Sequence, residues 1–361
     1  MYIYVIFLGL ALLFSLPVSS QKDAVALSRS KQPFQTRTLL LFFCLFLLFA
    51  LRHPSMGNDL HYGSGNGYLG SFSLISSFSW KKVFLIEKFM NYEKGYILFN
   101  KLVSIFSKNQ QFFLAVVAFL GLYPIYQLFK KNSALPMLSY VIYFGLPVFL
   151  MMFSGLRQVL AMGICLAAFT YVRQKKPIKF VALVLLATFF HSSAFVFLVV
   201  YPLYYLKMNK KRRGISLFVL AVIYLLKAPL FKVLSVLFKE SVQVQETGAL
   251  TLLIVFVLIY IFCTIFSSQD QELNGYMNLF YMACVAQCFA GVHELAMRVG
   301  YYFMMFLPLL LPKLIAEMSN KTDRKIVTAG VFVCFGLYGL YSLSTSFWAD
   351  AVPYYFFWQK I

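Results

Sequence analysis

Apolar runs close to the length of a bilayer crossing recur along this chain, separated by short basic or Gly/Ser-rich breaks. A helix needs about 20 apolar residues to cross a hydrocarbon core of about 30 Å. On that measure spans are predicted near 2–18, 38–51, 111–129, 134–152, 156–172, 214–231, 249–266, 274–291, 296–313 and 325–345. The runs do not alternate at period two, which argues against a membrane β-barrel. The expected class is an all-α polytopic integral membrane protein, with residues 1–361 forming one membrane domain. The first run, Met1 to Ser20, lacks the positive start of a signal peptide and reads as a first span.

One apolar segment, 178–206, fits neither one crossing nor two. As a straight helix it would be roughly 43 Å long. Its flanks, "RQKKPIK" from Arg173 and "KMNKKRRG" from Lys207, are both strongly basic. Basic loops collect on the cytoplasmic side, so both belong there. The segment is therefore predicted as a re-entrant or short helical hairpin. It turns at His191-Ser192-Ser193, at or towards the outer face. The count becomes about twelve spans, within a range of about 10–13, with both termini outside. Lys22, Arg29, Lys31 and Arg37, then Lys130 and Lys131, then Lys313, Lys321, Arg324 and Lys325, fall in cytoplasmic loops on this scheme. The short loop "SSQDQEL" is acidic and fits the rule weakly, as does the long outer loop at about 52–110 with its several lysines. That loop begins Gly/Ser-rich and is predicted irregular. Further along, Tyr96, Phe99, Leu102, Val103 and Phe106 recur at helical spacing and predict an amphipathic or partly embedded helix.

Composition agrees with this picture. Hydrophobic residues make up 61% and charged residues 12%, against about 45–50% and about 25% in soluble domains. The net charge of +20 first reports orientation, and it also suits an anionic lipid substrate. Nucleic acid is excluded as a partner, because no basic soluble domain with interleaved aromatics is present. All six cysteines lie in apolar runs and read as small packers. Cys284 and Cys288 share a helix face without further ligands, which is not a zinc pattern. There is no GxxxxGK[ST], no GxSxG and no metal-ligand cluster, so nothing supports ATP hydrolysis or serine-hydrolase chemistry. No metal and no cofactor is expected.

An ionisable residue inside a span is a site hypothesis by default. Arg157 begins a span on the outer side; it is either a snorkelling interfacial arginine or a fixed cation able to grip phosphate. His191 returns to that face, as a hydrogen-bonded packer or as a general base. Glu294 and Arg298 stand i, i+4, so a helix-surface ion pair competes with a second phosphate clamp at Arg298. His293-Glu294 does not begin a zincin motif, because Met297 replaces the second histidine. Asp59 and Glu93 add carboxylates in the outer loop, with solvated turn and helix-surface roles as the plain alternative.

An ordered set of short motifs then stands out: "GND…Y" at Gly57 to Tyr62, "YEKGY" at Tyr92 to Tyr96, "SGLRQVLAMGI" at Ser154 to Ile164, and "FFHSSAFVF" at Phe189 to Phe197. Together with "RVGYYF" from Arg298, the set resembles the EpsG family, Wzy-like polymerases of bacterial exopolysaccharide and capsule. The resemblance runs in order over nearly the whole chain; the loop after Asp59 matches least. It implies glycosyl transfer on the outer face of the bacterial cytoplasmic membrane. Repeat units carried on undecaprenyl diphosphate would be joined to a growing polysaccharide. It implies the lipid bilayer, flippase and chain-length regulator proteins as partners.

On this implied chemistry Arg157 and Arg298 hold the diphosphate, and His191 is base or hydroxyl positioner. Asp59 and Glu93 bind sugar or serve as alternative base. Two other classes compete. A lipid-linked oligosaccharide flippase needs cations reachable from both faces, whereas the ionisable residues here gather on one. A polysaccharide O-acyltransferase also uses a key histidine, and no feature of the sequence separates the two.

Overall fold

The computed structural model describes residues 1–15, 32–60, 67–86, 90, 92–238, 250–268, 270–346 and 349–361. Among the described residues the regular elements are helices, with no strand beyond an isolated bridge between Arg52 and Phe356. The chain divides into two compact units, 1–195 with 326–361, and 196–325.

The first unit opens with α1 (Tyr2–Ser15), α2 (Gln32–Ala50), α3 (Gly67–Ser77), α4 (Trp80–Ile86) and α5 (Lys94–Phe106). Then come α6 (Gln110–Asn132), α7 (Pro136–Phe144), α8 (Pro147–Ser154), α9 (Leu156–Arg173) and α10 (Pro177–Thr188). Local chemistry sets these boundaries. Asn109 caps α6, its side chain accepting from the backbone N–H groups of Gln111 and Phe112. Prolines open α7, α8 and α10 at the first turn, where no N–H partner is needed. Pro147 also pushes Leu146 into extended backbone. The predicted span 134–152 is therefore two helices bent by 68°. Gly145 at the bend lies so close to α18 (Lys321–Thr345), most of which packs in this unit, that a Cβ would stand 2.5 Å from the Phe335 carbonyl.

Helices α2, α6, α9 and α10 pack in sequence as neighbours. At one end Arg173 bonds Asn132, and Arg37 donates to the Phe14 carbonyl. At the other, Gln111 donates to the carbonyls of Ala50 and Arg52. The C-terminal tail ties to this second end: Tyr354 Oη donates to the Leu48 carbonyl, and the Phe357 and His53 amides to the carbonyls of Leu51 and Tyr355. Arg52 is buried there among Phe49 and Phe153, its guanidinium carbon 5.2 Å from the Phe153 ring.

The second unit contains α11 (Val200–Tyr205), α12 (Lys210–Leu225), α13 (Lys227–Phe238), α14 (Leu250–Phe266), α15 (Gln271–Cys288), α16 (Glu294–Met304) and α17 (Leu307–Glu317). Helix α15 is its centre, packed on by α11, α12, α14, α16 and α17. The predicted span 214–231 is likewise broken, by 79° between α12 and α13.

Among the described residues four helical stretches are long and apolar enough to cross a membrane: 110–132, 156–173, 296–317 (α16 continued by α17) and 321–345. Each bent pair counted as one span raises this to six. The other apolar helices have 10–17 residues, and 14 residues of α-helix reach only about 21 Å. The expectation of about twelve spans thus exceeds what helix length shows among the described residues. Two further expectations change. The Gly/Ser-rich start of the outer loop is not irregular where it is described: α3 lies within it and α4 begins at its end. The Gly/Ser-rich stretch folds as α3 because Tyr68, Leu69, Phe72 and Ile75 recur at helical spacing and bury. Packing overrides weak propensity there. Helix α5 forms as predicted, but it buries Tyr96, Ile97, Asn100, Val103 and Ser104, while Leu102 and Phe106 are exposed.

Candidate active site

Three segments meet at the end of the first unit opposite its basic loops. The first is the start of α9. Gly155 closes α8 and precedes α9, so Arg157 stands in the first helical turn. Roughly 24 Å of helix separate it from Arg173 at the basic end. The second is the "YEKGY" stretch leading into α5. The third is the break after α10.

The predicted turn was His191-Ser192-Ser193; the helix itself breaks at 189–191, with α10 ending at Thr188 and a 3-10 helix running from Ser192 to Val199. The Gly95 amide donates to the Phe189 carbonyl at 2.9 Å. A Cβ at Gly95 would stand 2.6 Å from that oxygen, so only glycine lets the two segments approach this closely.

This approach brings Glu93 between Arg157 and His191. Glu93 Oε2 accepts from Arg157 Nη1 at 2.6 Å. Oε1 lies 3.1 Å from His191 Nδ1 and accepts the Ser192 amide at 3.1 Å. Partial burial pushes the Glu93 carboxyl up. The hydrogen bond from His191, the Arg157 charge and the amides of Glu93 and Ser192 outweigh it and bring the pKa down to about 2. The carboxylate is therefore ionised at neutral pH.

Tyrosines complete the wall. Arg157 Nε donates to Tyr68 Oη at 3.3 Å. Its guanidinium carbon lies 4.6 Å from the Tyr92 ring centre. The rings of Tyr68 and Tyr92 stack at 5.7 Å, and Tyr96 meets both edge-on. Each tyrosine of the motif thus has a physical role. The side chains of Arg157, Glu93 and His191 keep 19%, 20% and 12% of their surface exposed, so the cluster is sheltered yet open to solvent.

Asp59 is exposed on a short 3-10 helix, Asn58–Leu60. Gly57, at φ +111°, sits so tightly on α8 that a Cβ would be 2.1 Å from the Phe153 carbonyl. Leu60 packs in the same buried cluster as Tyr68 and Leu156. Asp59 is thus at this end of the unit, and its charge acts on Tyr68. Arg298 lies on α16 of the second unit, half-buried, and the geometry above does not include it. The side chain of Glu294 and residues His61 and Tyr62 fall outside the described residues, as do Lys22, Arg29 and Lys31 of the predicted N-terminal loop. Sequence reasoning missed Tyr68 and the Ser192 amide, and it missed that Glu93 joins the other two. Only the tyrosine-rich "YEKGY" motif hinted at this.

A helical membrane protein with an arginine, a carboxylate and a histidine joined at the end of a bundle is the class these features define. A family model described as the EpsG family matches residues 37–356, and the chain belongs to that family. It is an exopolysaccharide-related membrane protein. No curated protein and no solved structure matches it.

Proposed function

We propose that the chain joins undecaprenyl-diphosphate-linked oligosaccharide repeat units on the outer face of the bacterial cytoplasmic membrane. It would act there as a glycosyltransferase-type polymerase within one polytopic domain of about twelve spans. The observation that carries this reading is the Arg157–Glu93–His191 cluster, opposite the basic loops. Those loops suit the cytoplasm by their charge, which supports an outer-face position for the cluster.

The reaction needs two things. A hydroxyl of the acceptor unit must attack the anomeric carbon of the donor chain and lose its proton. The bond from that carbon to the diphosphate oxygen must break, leaving negative charge on the lipid carrier. His191 takes the proton. Arg157 stabilises the departing diphosphate, a planar fork of donors aimed where charge develops. Asp59, exposed at the same end, suits sugar hydroxyls. Arg298 keeps, on the sequence alone, the role of a cation for the diphosphate. A flippase that delivers units and a chain-length regulator are the partners this role calls for. The test is incubation of purified protein with lipid-linked repeat units, followed by gel separation. A ladder of products is expected; a single unextended band would reject the proposal.

A further inference from the structure

Glu93 is the residue before α5, the position from which a side chain usually caps its own helix. It makes no such bond. Its two oxygens are instead divided between Arg157 on one side and His191 with the Ser192 amide on the other. A carboxylate so engaged is badly placed to bind sugar or to act as a base itself. Both oxygens already accept hydrogens, and its depressed pKa makes it a weak proton acceptor.

The same geometry fixes the histidine. An ionised carboxylate can only accept hydrogen bonds. The ring nitrogen facing it, Nδ1, must therefore carry a hydrogen. A neutral imidazole carries only one, which leaves Nε2 bare. Neighbours hold the arrangement in place. The Gly95 amide on the Phe189 carbonyl fixes the spacing of the two segments. Tyr68 and Tyr92 flank the guanidinium. Glu93 faces the ring, and on the far side of its carboxylate lies Arg157 with Tyr68 and Tyr92 around it, Tyr96 against those two rings and Asp59 acting on Tyr68.

We infer that Glu93 is a positioning residue shared by both groups: it holds His191 in the tautomer with hydrogen on Nδ1, so that Nε2 takes the acceptor's proton, and it holds Arg157 beside the same ring. The inference rests on the function proposed above. As the new C–O bond forms and the bond to the diphosphate breaks, the acceptor's hydroxyl proton passes to Nε2. The imidazolium that results is stabilised by the carboxylate on Nδ1. A relation of this kind, in which a carboxylate orients the base without being protonated, is the logic of the Ser-His-Asp triad.

The experiment is ¹⁵N NMR of histidine-labelled protein in lipid nanodiscs. The His191 signals would be assigned by difference against His191→Gln among the four histidines. Wild type is expected to show a protonated Nδ1 and a bare Nε2. Glu93→Ala is expected to give mixed tautomers and a kcat lower by about a hundredfold or more, with KM changed far less. Glu93→Gln keeps an acceptor for Nδ1–H and should retain the tautomer while losing the hold on Arg157, with an intermediate kcat. Glu93→Asp should recover part of the rate. A hydrogen on Nε2 in wild type, or a Glu93→Ala protein with unchanged tautomer and unchanged kcat, would overturn the inference. Because the spectrum needs no substrate, it separates this failure from failure of the polymerase reading, which a missing ladder in wild type would show.

Discussion

Arg157 and Arg213 are both arginines sheltered by helices, and they are held in opposite ways. Arg213, in the second unit, is 2% exposed. Its partners are neutral: Tyr260 Oη at 3.3 Å, Asn278 Oδ1 at 3.4 Å, and Asn274. Those asparagines in turn bond the last carbonyls of the α11 region, Asn278 to Leu203 and Leu206 and Asn274 to Leu206. Gln271 does the same for Tyr204. The node ties α12, α14 and α15 together and satisfies a helix end that would otherwise leave orphan acceptors. Arg157 has an ionised carboxylate, a histidine one bond further on, and a surface open to solvent. A guanidinium fully occupied by neutral acceptors welds helices. One that shares a carboxylate with an imidazole, at an open edge, is built to meet a charged substrate.

Mutations break this comparison in order of expected effect. His191→Ala should abolish polymer, because loss of a general base lowers rates by about 10²–10⁴. Lipid-linked units should still reach the outer face, as surface labelling of their sugars would report. Units trapped inside would instead make the protein a carrier. Arg157→Lys should lower polymerisation by about a hundredfold at an unchanged membrane level, since an ammonium is a point charge without the fork. Normal polymer in this variant would return Arg157 to a packing role.

Arg213→Met should act the other way round. Several buried acceptors lose their donor, so stability should fall by about 3 kcal/mol. A thermal melt in detergent would read this, while activity per folded molecule stays near wild type. A selective loss of activity without loss of stability would erase the contrast between the two arginines.

The smallest effect concerns pH. The folded pKa of Glu93 lies below its ordinary 4.5, at about 2. The folded state therefore binds fewer protons than the unfolded one. Stability from this group is fully present above the ordinary value and is lost as pH falls towards about 2. The contribution is at most about 3 kcal/mol. Glu93→Gln should lower the melting midpoint above that acid window and flatten its fall across it; an unaltered acid dependence would mean Glu93 is not held as described. Orientation is checked without perturbing the chemistry. Single cysteines at His191, Lys176 and Arg212, in a background lacking native cysteines, should label from outside only at 191. Labelling at 212 but not at 176 would mean a single crossing between them.

Hydropathy alone determined the all-helical membrane class, because apolar runs and the absence of period-two alternation are local properties. Charge in the loops flanking 178–206 was enough to place a break at His191, and the ordered motifs were enough for the family. The bend at Leu146 follows from Pro147 and the close approach of Gly145 to α18, and the helix hidden in the Gly/Ser-rich stretch at 67–77 was decided by packing. A proline, a close glycine contact or a buried stripe outweighs local propensity there. The site divides the same way. Arg157 and His191 were visible as ionisable residues in apolar surroundings. Glu93 was an ordinary loop carboxylate in the sequence. Its distances to Arg157, 64 residues on, and to His191, 98 residues on, exist only once Gly95 has met Phe189. Two hydrogen-bond lengths between remote segments are set by how helices pack, and no pattern along one segment encodes them.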